Sequence, residues 1–275
     1  MRLKNILKFG FLFLAAGLML TGCGSAVDRS GGNLETVTPQ KGDLIATFEI
    51  EGYGTIKAVL FPDIAPVGVE NFRKLADKGF YDGLTIHRVI DQFMFQGGST
   101  NGNGTGGEAA VNGGKFGIET SDNARHFYGA LCYANAEGTN TTQFYIVNNN
   151  EKDPFDGRIA QYNKVIDEYK KLADAASSDD EKHFYEYYYV EPYEAARDSY
   201  ADEVAAMDQN IKALYDERGG TPTLDGGYTV FGQVYEGFDV IDSISKAEVV
   251  DNGGGEVSKP VNTIVIKSIN VSKFK

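Results

Sequence analysis

Arg88 is the residue of this chain best suited to chemistry that needs no nucleophile. It sits in residues 85–98, which read Thr-Ile-His-Arg-Val-Ile-Asp-Gln-Phe-Met-Phe-Gln-Gly-Gly, a few positions before the apolar pair Phe93 and Met94. The neutral amide Gln96 and a double glycine follow. A guanidinium stays protonated and donates in a fixed planar fork. No second acid or base of the hydrolytic kind stands beside it. The combination suits a site that grips an uncharged, apolar ligand and aims one cation at it. Taken alone, Arg88 reads as a surface ion-pair residue, and only its surroundings argue otherwise.

Other reactive residue types offer less. His126 and His183 have no partners at metal-ligand spacing, and no Cys/His cluster has zinc spacing. His87 reads as a packed structural histidine. Cys132, in an apolar run, reads as a small buried hydrophobe. The glycine-dense stretch 97–117 lacks the Gly-Lys-Ser/Thr ending of a phosphate-binding loop, so it reads as a permissive surface loop.

Bulk properties narrow the function classes. The 275 residues carry a formal charge of −13, which argues against nucleic acid and against electrostatic attachment to anionic lipid. The N-terminus is a targeting segment. Arg2, Lys4 and Lys8 precede an apolar run too short to span a bilayer comfortably, and Leu20-Thr21-Gly22-Cys23 resembles the bacterial lipobox. That resemblance implies cleavage after residue 22 and a diacylglyceryl (palmitate-type) thioether on Cys23, anchoring the protein at the extracytoplasmic face of the cell membrane. Loss of the three basic residues takes the mature charge to −16. Residues 23–42 are small and polar and read as a flexible tether.

Periodicity sets out the elements that must position Arg88. Leu44, Ala46, Phe48 and Ile50 alternate, as do Ile56, Ala58 and Leu60 after Gly52-Tyr53-Gly54, so two strands joined by a tight turn are expected. Val69, Phe72, Leu75 and Ala76 share a helical face that Gly79 ends. Strands are expected at 85–89, 93–96, 129–135, 143–147, 229–235 and 263–269, with a short helix carrying Val240, Ile241 and Ile244. Many short strands with two helices point to a mainly β, closed antiparallel barrel. Between residues 151 and 220 the texture becomes helical. One run carries Ile159, Tyr162, Ile166 and Tyr169, and a second, from Pro192, carries Tyr193, Tyr200, Met207 and Leu214. An inserted helical hairpin is expected, with an aromatic segment (183–190) between its helices. This insertion holds 18 acidic against 9 basic residues and nine of the sixteen tyrosines, and it reads as a supporting or partner-binding appendage.

Several blocks, in order, resemble the cyclophilin family of peptidyl-prolyl isomerases. They are Phe80-Tyr81-Asp82-Gly83-Leu84-Thr85-Ile86-His87-Arg88-Val89, Phe93-Met94-Phe95-Gln96-Gly97-Gly98, Asn103-Gly104-Thr105-Gly106-Gly107, Gly129-Ala130-Leu131-Cys132-Tyr133-Ala134-Asn135-Ala136, Thr142-Gln143-Phe144-Tyr145-Ile146 and Leu224-Asp225-Gly226-Gly227-Tyr228-Thr229-Val230-Phe231-Gly232. The resemblance spans roughly 43–150 and 221–272, and the barrel is assigned to 43–150 and 221–275. It implies an eight-stranded antiparallel barrel, closed at each end by a helix, with its substrate groove on the outside. It implies Arg88 as the catalytic guanidinium, and Phe93, Met94, Tyr145 and Leu224 as the wall of a proline pocket. Gln96, Ala134, Asn135 and Gln143 take positions that hold the substrate, and Tyr228 stands at the groove. The implied partners are extended, proline-containing polypeptides. No metal or cofactor is called for.

Three positions depart from familiar family members. Thr223 replaces a groove-lining Trp, Tyr228 stands where His is common, and Tyr145 where Phe is usual. Losing the indole should weaken cyclosporin binding more than catalysis. The two tyrosine hydroxyls are expected to alter substrate preference. The leading expectation is an isomerase assisting the folding of secreted or envelope proteins. The alternative is a catalytically weak peptide-binding module or holdase, and a third reading is a structural lipoprotein with a borrowed barrel.

Overall fold

A computed structural model describes residues 37–275; the signal segment, the lipobox with Cys23 and most of the tether lie outside the described residues. In chain order the elements are β1 (Leu44–Ile50), β2 (Gly54–Leu60), α1 (Pro66–Asp77), β3 (Thr85–Ile90), β4 (Met94–Gly97), β5 (Phe116–Gly117), β6 (Ala130–Ala136) and β7 (Thr139–Val147). Then follow α2 (Pro154–Asp174), α3 (Asp179–Tyr185), α4 (Glu191–Ala206), α5 (Gln209–Arg218), β8 (Val230–Glu236), α6 (Phe238–Ser245), β9 (Val249–Asp251), β10 (Val257–Pro260) and β11 (Ile264–Lys273). The described residues form two compact units, Glu151–Gly219 and the rest of them.

The larger unit is a closed antiparallel barrel. Its ladder runs β4-β3-β11-β1-β2-β8-β6-β7, and β4 pairs back onto β7 to close the ring of eight; β5 adds to the outer edge of β7. Alternation works as the sequence predicts. Ala46, Phe48 and Ile50 of β1 and Ile56, Ala58 and Leu60 of β2 point into one core, matched by Phe95, Leu131, Tyr133, Phe144, Ile146 and Phe231. Aromatic rings fill the interior: Phe72 of α1 lies 5.1 Å from Phe231, 5.2 Å from Tyr81 and 5.9 Å from Phe144. A barrel of eight strands is just wide enough for such filling, so any binding face must be external.

The helices α1 and α6 contribute Val69, Phe72, Leu75 and Val240, Ile241, Ile244 to this core. As expected from Gly79, α1 ends in a Schellman motif. The Gly79 N–H reaches the Ala76 carbonyl at 2.8 Å and the Phe80 N–H that of Leu75 at 3.0 Å, with Gly79 at φ +65°. Its start has a local mark in Pro66 at the first helical position but no local side-chain cap. Ala65 offers no side-chain cap, and the distant Glu119 carboxylate accepts from the Val67 and Gly68 N–H groups at 3.0 and 2.8 Å instead. That satisfies two orphan donors and sets an anion at the positive end of the helix. Val37, in the segment read as tether, packs beside Ile45, Val59 and Phe61 on the outer wall.

The smaller unit corrects the expected hairpin in two places. The aromatic segment is no linker: α3, a π-turn at Glu186–Val190 and α4 run on as one helix. Pro192 therefore lies inside that helix rather than at its start. Lacking an N–H, it follows a wider turn in which the Glu191 N–H bonds to the Glu186 carbonyl, five residues back. The second run also breaks at Met207, because the Asp208 carboxylate caps a separate α5 through the Asn210 and Ile211 N–H groups. α2 and α4 pair through Tyr162 with Tyr200 (6.2 Å) and Tyr169 with Tyr193 (6.0 Å), and Tyr169 stacks on Tyr189 at 4.4 Å. Among the described residues no helix is long and apolar enough to cross a membrane.

Replacing Glu119 by Ala should remove the remote cap of α1. Denaturant unfolding is expected to show a loss of about 0.5–2 kcal/mol, the range for losing a helix cap; an unchanged midpoint would mean that water replaces the carboxylate at no cost.

Candidate functional site

The outer face of β4, β6 and β7 is where the sequence-predicted residues meet. Because side chains alternate, Phe95, Phe144 and Ile146 take the core, leaving Met94, Gln96, Gln143 and Tyr145 outside. The closing ladder puts Gln96 opposite Tyr145 and Met94 opposite Val147. Met94, Ala130, Cys132, Tyr145, Val147 and Val230 form a second apolar cluster there, and Phe93, Ala134, Leu224 and Tyr228 pack against it. Phe93 and Met94 thus both belong to the outer face. Phe93 manages this from the turn before β4, where Gln92 has φ +55° and the Asn148 side chain accepts the Phe93 N–H at 2.7 Å.

Arg88 reaches this face through an irregularity in β3. Strict alternation from the inward Ile86 would send Arg88 into the core. A bulge between Ile86 and Arg88 resets the phase, so that Ile86 and Val89 both point in. Arg88 then lies against the apolar cluster, its Nη1 3.7 Å from the Met94 sulfur and its Cζ 5.9 Å from the Phe93 ring centroid. Neighbouring His87 is held neutral, since burial pulls its pKa down to about 4, with the Arg88 charge adding to the effect. Of the two, Arg88 alone carries charge at neutral pH.

The polar residues collect on the other side of Ala134. Gln96 Nε2 donates to Gln143 Oε1 at 3.0 Å, and Gln143 Nε2 to the Gly104 carbonyl at 2.9 Å. Asn135 Nδ2 donates to the Gly227 carbonyl at 3.0 Å, which ties the loop carrying Tyr228 to β6. Gln96, Ala134, Asn135 and Gln143 line a pocket of about 320 Å³ together with Gly104, Lys115 and Thr139. The arrangement is therefore an apolar patch bordered by a guanidinium and an amide-lined pocket, with Arg88 directly opposite the pocket-lining Gln96 on the neighbouring strand.

Two further groups were missed by sequence reasoning. His126, almost wholly buried, bridges Asp225 (Nδ1 to Oδ1, 2.8 Å) and the Tyr145 hydroxyl (Nε2 to Oη, 2.9 Å). With a carboxylate accepting at Nδ1, Nε2 is left to accept from the hydroxyl, so the imidazole is a tautomer-fixed strut. Asp225 also accepts the His126 N–H at 3.0 Å and Arg125 Nη1 at 3.1 Å. The hydroxyl that the sequence comparison flagged on Tyr145 is thus engaged inside the wall, where burial raises its pKa well above the ordinary value. Burial likewise pushes the Cys132 thiol up, in keeping with an inert packed residue. The second missed group is Glu256, which holds Arg88 in a bidentate pair: Nε to Oε1 at 2.7 Å and Nη2 to Oε2 at 2.6 Å. Neither contact had a signal in local sequence, because the partners stand 99 and 168 residues apart.

Comparison with known proteins identifies the family and agrees with the fold. Residues 45–188 and 209–271 match the family model described as cyclophilin type peptidyl-prolyl cis-trans isomerase/CLD, and the unmatched gap falls within the insertion. A Staphylococcus haemolyticus protein named "Putative peptidyl-prolyl cis-trans isomerase" is 36% identical over 219 residues, 79% of this chain and 86% of that one. A Staphylococcus aureus protein of the same name is 36% identical over 221 residues, 80% and 88% of the two chains. The crystal structure of a Cryptosporidium parvum cyclophilin type peptidyl-prolyl cis-trans isomerase aligns with a TM-score of 0.54 at 20% identity, over 85% of this chain and 99% of that one. A second structure of it, in the presence of the dipeptide Ala-Pro, gives 0.53 at 21% identity over 84% and 99%. At such identities these two structures bear on the fold.

Tyr145→Phe keeps the ring and leaves His126 Nε2 buried without its donor. Equilibrium unfolding should register a loss of about 1–3 kcal/mol, the cost of stranding a buried polar group. Stability equal to the parent would argue that the strut is dispensable.

Proposed function

The chain belongs to the cyclophilin-type peptidyl-prolyl cis-trans isomerases, and from that premise we propose a lipid-anchored isomerase that assists the folding of secreted or envelope proteins, with Arg88 stabilising the twisted prolyl amide. The observation that carries the mechanism is the placement of Arg88 Nη1 at the border of the outer apolar face, beside Met94 and Phe93.

The reaction breaks no bond. Rotation about an X–Pro amide is slow because resonance gives the C–N bond double-bond character, with a barrier of ~18–20 kcal/mol. Twisting the bond localises the lone pair on the prolyl nitrogen. A donor aimed at that nitrogen stabilises the twisted state more than the planar one, which is the requirement for catalysis. In this reading the pyrrolidine ring rests on Phe93, Met94, Tyr145, Leu224 and Tyr228, while Gln96, Ala134, Asn135 and Gln143 steady the flanking backbone. Preformed rotamers matter here, and the His126–Asp225 strut supplies one for Tyr145. A guanidinium has donors and no acceptor, so it can meet the lone pair with an N–H from any of its nitrogens.

The lipobox reading supplies the setting. A diacylglyceryl group in thioether linkage to Cys23 would hold the protein at the extracytoplasmic membrane face, since two or more chains anchor stably. The strongly negative mature chain would be repelled by anionic lipid and stand off from it. A second reading, capture of unfolded chains without catalysis, draws on the insertion, where Phe184, Tyr187 and Tyr188 stand exposed among acidic residues.

A proline-peptide isomerisation assay on Arg88→Ala should show kcat/KM falling by about 10²–10³, as for loss of a transition-state donor. Rates equal to wild type would remove Arg88 from the mechanism and favour the capture reading. Separately, Cys23→Ala should abolish labelling by a fatty-acid analogue and release the protein from the membrane fraction, whereas continued labelling would place the lipid elsewhere.

A further inference from the structure

Glu256 sits where a turn hands over to β10. The β9–β10 hairpin is fastened at that point: the Asn252 N–H bonds to the Glu256 carbonyl at 2.8 Å. Asp251 Oδ1 accepts the Gly253 and Gly255 N–H groups at 2.7 and 3.2 Å. β10 lies along β3, the strand that carries Arg88. The carboxylate of Glu256 is therefore delivered by a braced turn and not by a floppy loop.

We propose that Glu256 is the positioning residue of Arg88, holding the Nε–Nη2 edge of the guanidinium so that its Nη1 edge is presented to the apolar face formed by Phe93 and Met94. A planar fork gripped along one edge has its remaining donors fixed in direction. Here the gripped edge is Nε and Nη2, at 2.7 and 2.6 Å, and the opposite edge turns to the apolar face, where Nη1 donates to the Met94 sulfur at 3.7 Å. The Arg88 and Glu256 side chains are 30% and 39% exposed, so solvent screens the pair and its contribution to global stability is small. Its effect lies in orientation: a long side chain that would otherwise sample many rotamers is set before substrate arrives. Arg88 in turn holds the Glu256 carboxyl below the usual range, which keeps it ionised and gripping at neutral pH. The chemistry also makes a specificity argument. An ion pair at the pocket border has little net charge, so a neutral peptide is accepted without a charged residue being drawn to the guanidinium.

This inference rests on the isomerase reading for its catalytic consequence, and the test separates the two. In the full-length chain in mild detergent, wild type, Glu256→Ala, Glu256→Gln and Arg88→Ala are compared on an uncharged prolyl peptide. The Arg88 side-chain Nε–H is followed by NMR in the same samples. Expected for Glu256→Ala are a kcat lowered about tenfold, a KM within about twofold of wild type, unchanged thermal unfolding, and loss of the slowly exchanging Nε–H signal. Glu256→Gln, which keeps one acceptor, should fall between. A Glu256→Ala enzyme as fast as wild type or faster overturns the proposal, as does an Nε–H signal that persists without the carboxylate. An inactive wild type would remove the isomerase reading and the catalytic consequence together, while the Nε–H spectrum would still decide whether Glu256 holds Arg88.

Discussion

The pairing of β4 with β7 is the constraint on which the rest depends. It closes the sheet, and its register decides at one stroke what lies inside and what lies outside. With a side-chain period of two, a slip of one residue would turn one of the two strands over, either bringing Met94 into the barrel and expelling Phe95, or bringing in Tyr145 and expelling Phe144. The core cannot accept that exchange, since Phe144 packs in a cluster of rings with Phe48, Phe72 and Tyr81. The burial that stabilises the barrel is therefore also what presents the outer apolar face. Site and core are two sides of one ladder.

Three carboxylates from distant segments then refine what the ladder sets up. Glu119 fixes the start of α1, Asp225 fixes the tautomer of His126 and with it Tyr145, and Glu256 grips Arg88. Each reaches across the fold to a donor that its own neighbourhood could not satisfy. Only Asp225 falls within one of the ordered sequence blocks, and its partner His126 lies outside them. All three act on direction, two of them on side chains of the groove.

This explains what was legible beforehand. Alternation in β1 and β2, the helical face of α1 and the glycine after it are local patterns, and local patterns survive in a single sequence. The groove residues were found through ordered blocks, and the structure brings Phe93, Met94, Tyr145, Leu224 and Tyr228 to one face. The bulge at Ile86–Arg88 was invisible because it is a property of pairing, not of β3 alone. Glu256 stayed hidden in a glycine-rich turn whose partner is 168 residues away. In the insertion, Pro192 misled for a physical reason. Proline marks a helix start only when no wider turn is available to accommodate it, and here a π-turn is.

The junction of the insertion has a consequence in chain entropy. Asn149 Nδ2 donates to the Gly220 carbonyl at 2.8 Å, so the chain leaves and re-enters the barrel at points one hydrogen bond apart. To the barrel, the whole helical unit is a loop with its ends already tied. The entropy of closing a loop grows only logarithmically, by about 0.6 kcal/mol for each doubling of length. A short turn at this place could therefore lengthen into a folded module at small cost to the parent barrel. The acidic, tyrosine-rich helices are free to change at their own pace, while the register beneath Arg88 stays fixed.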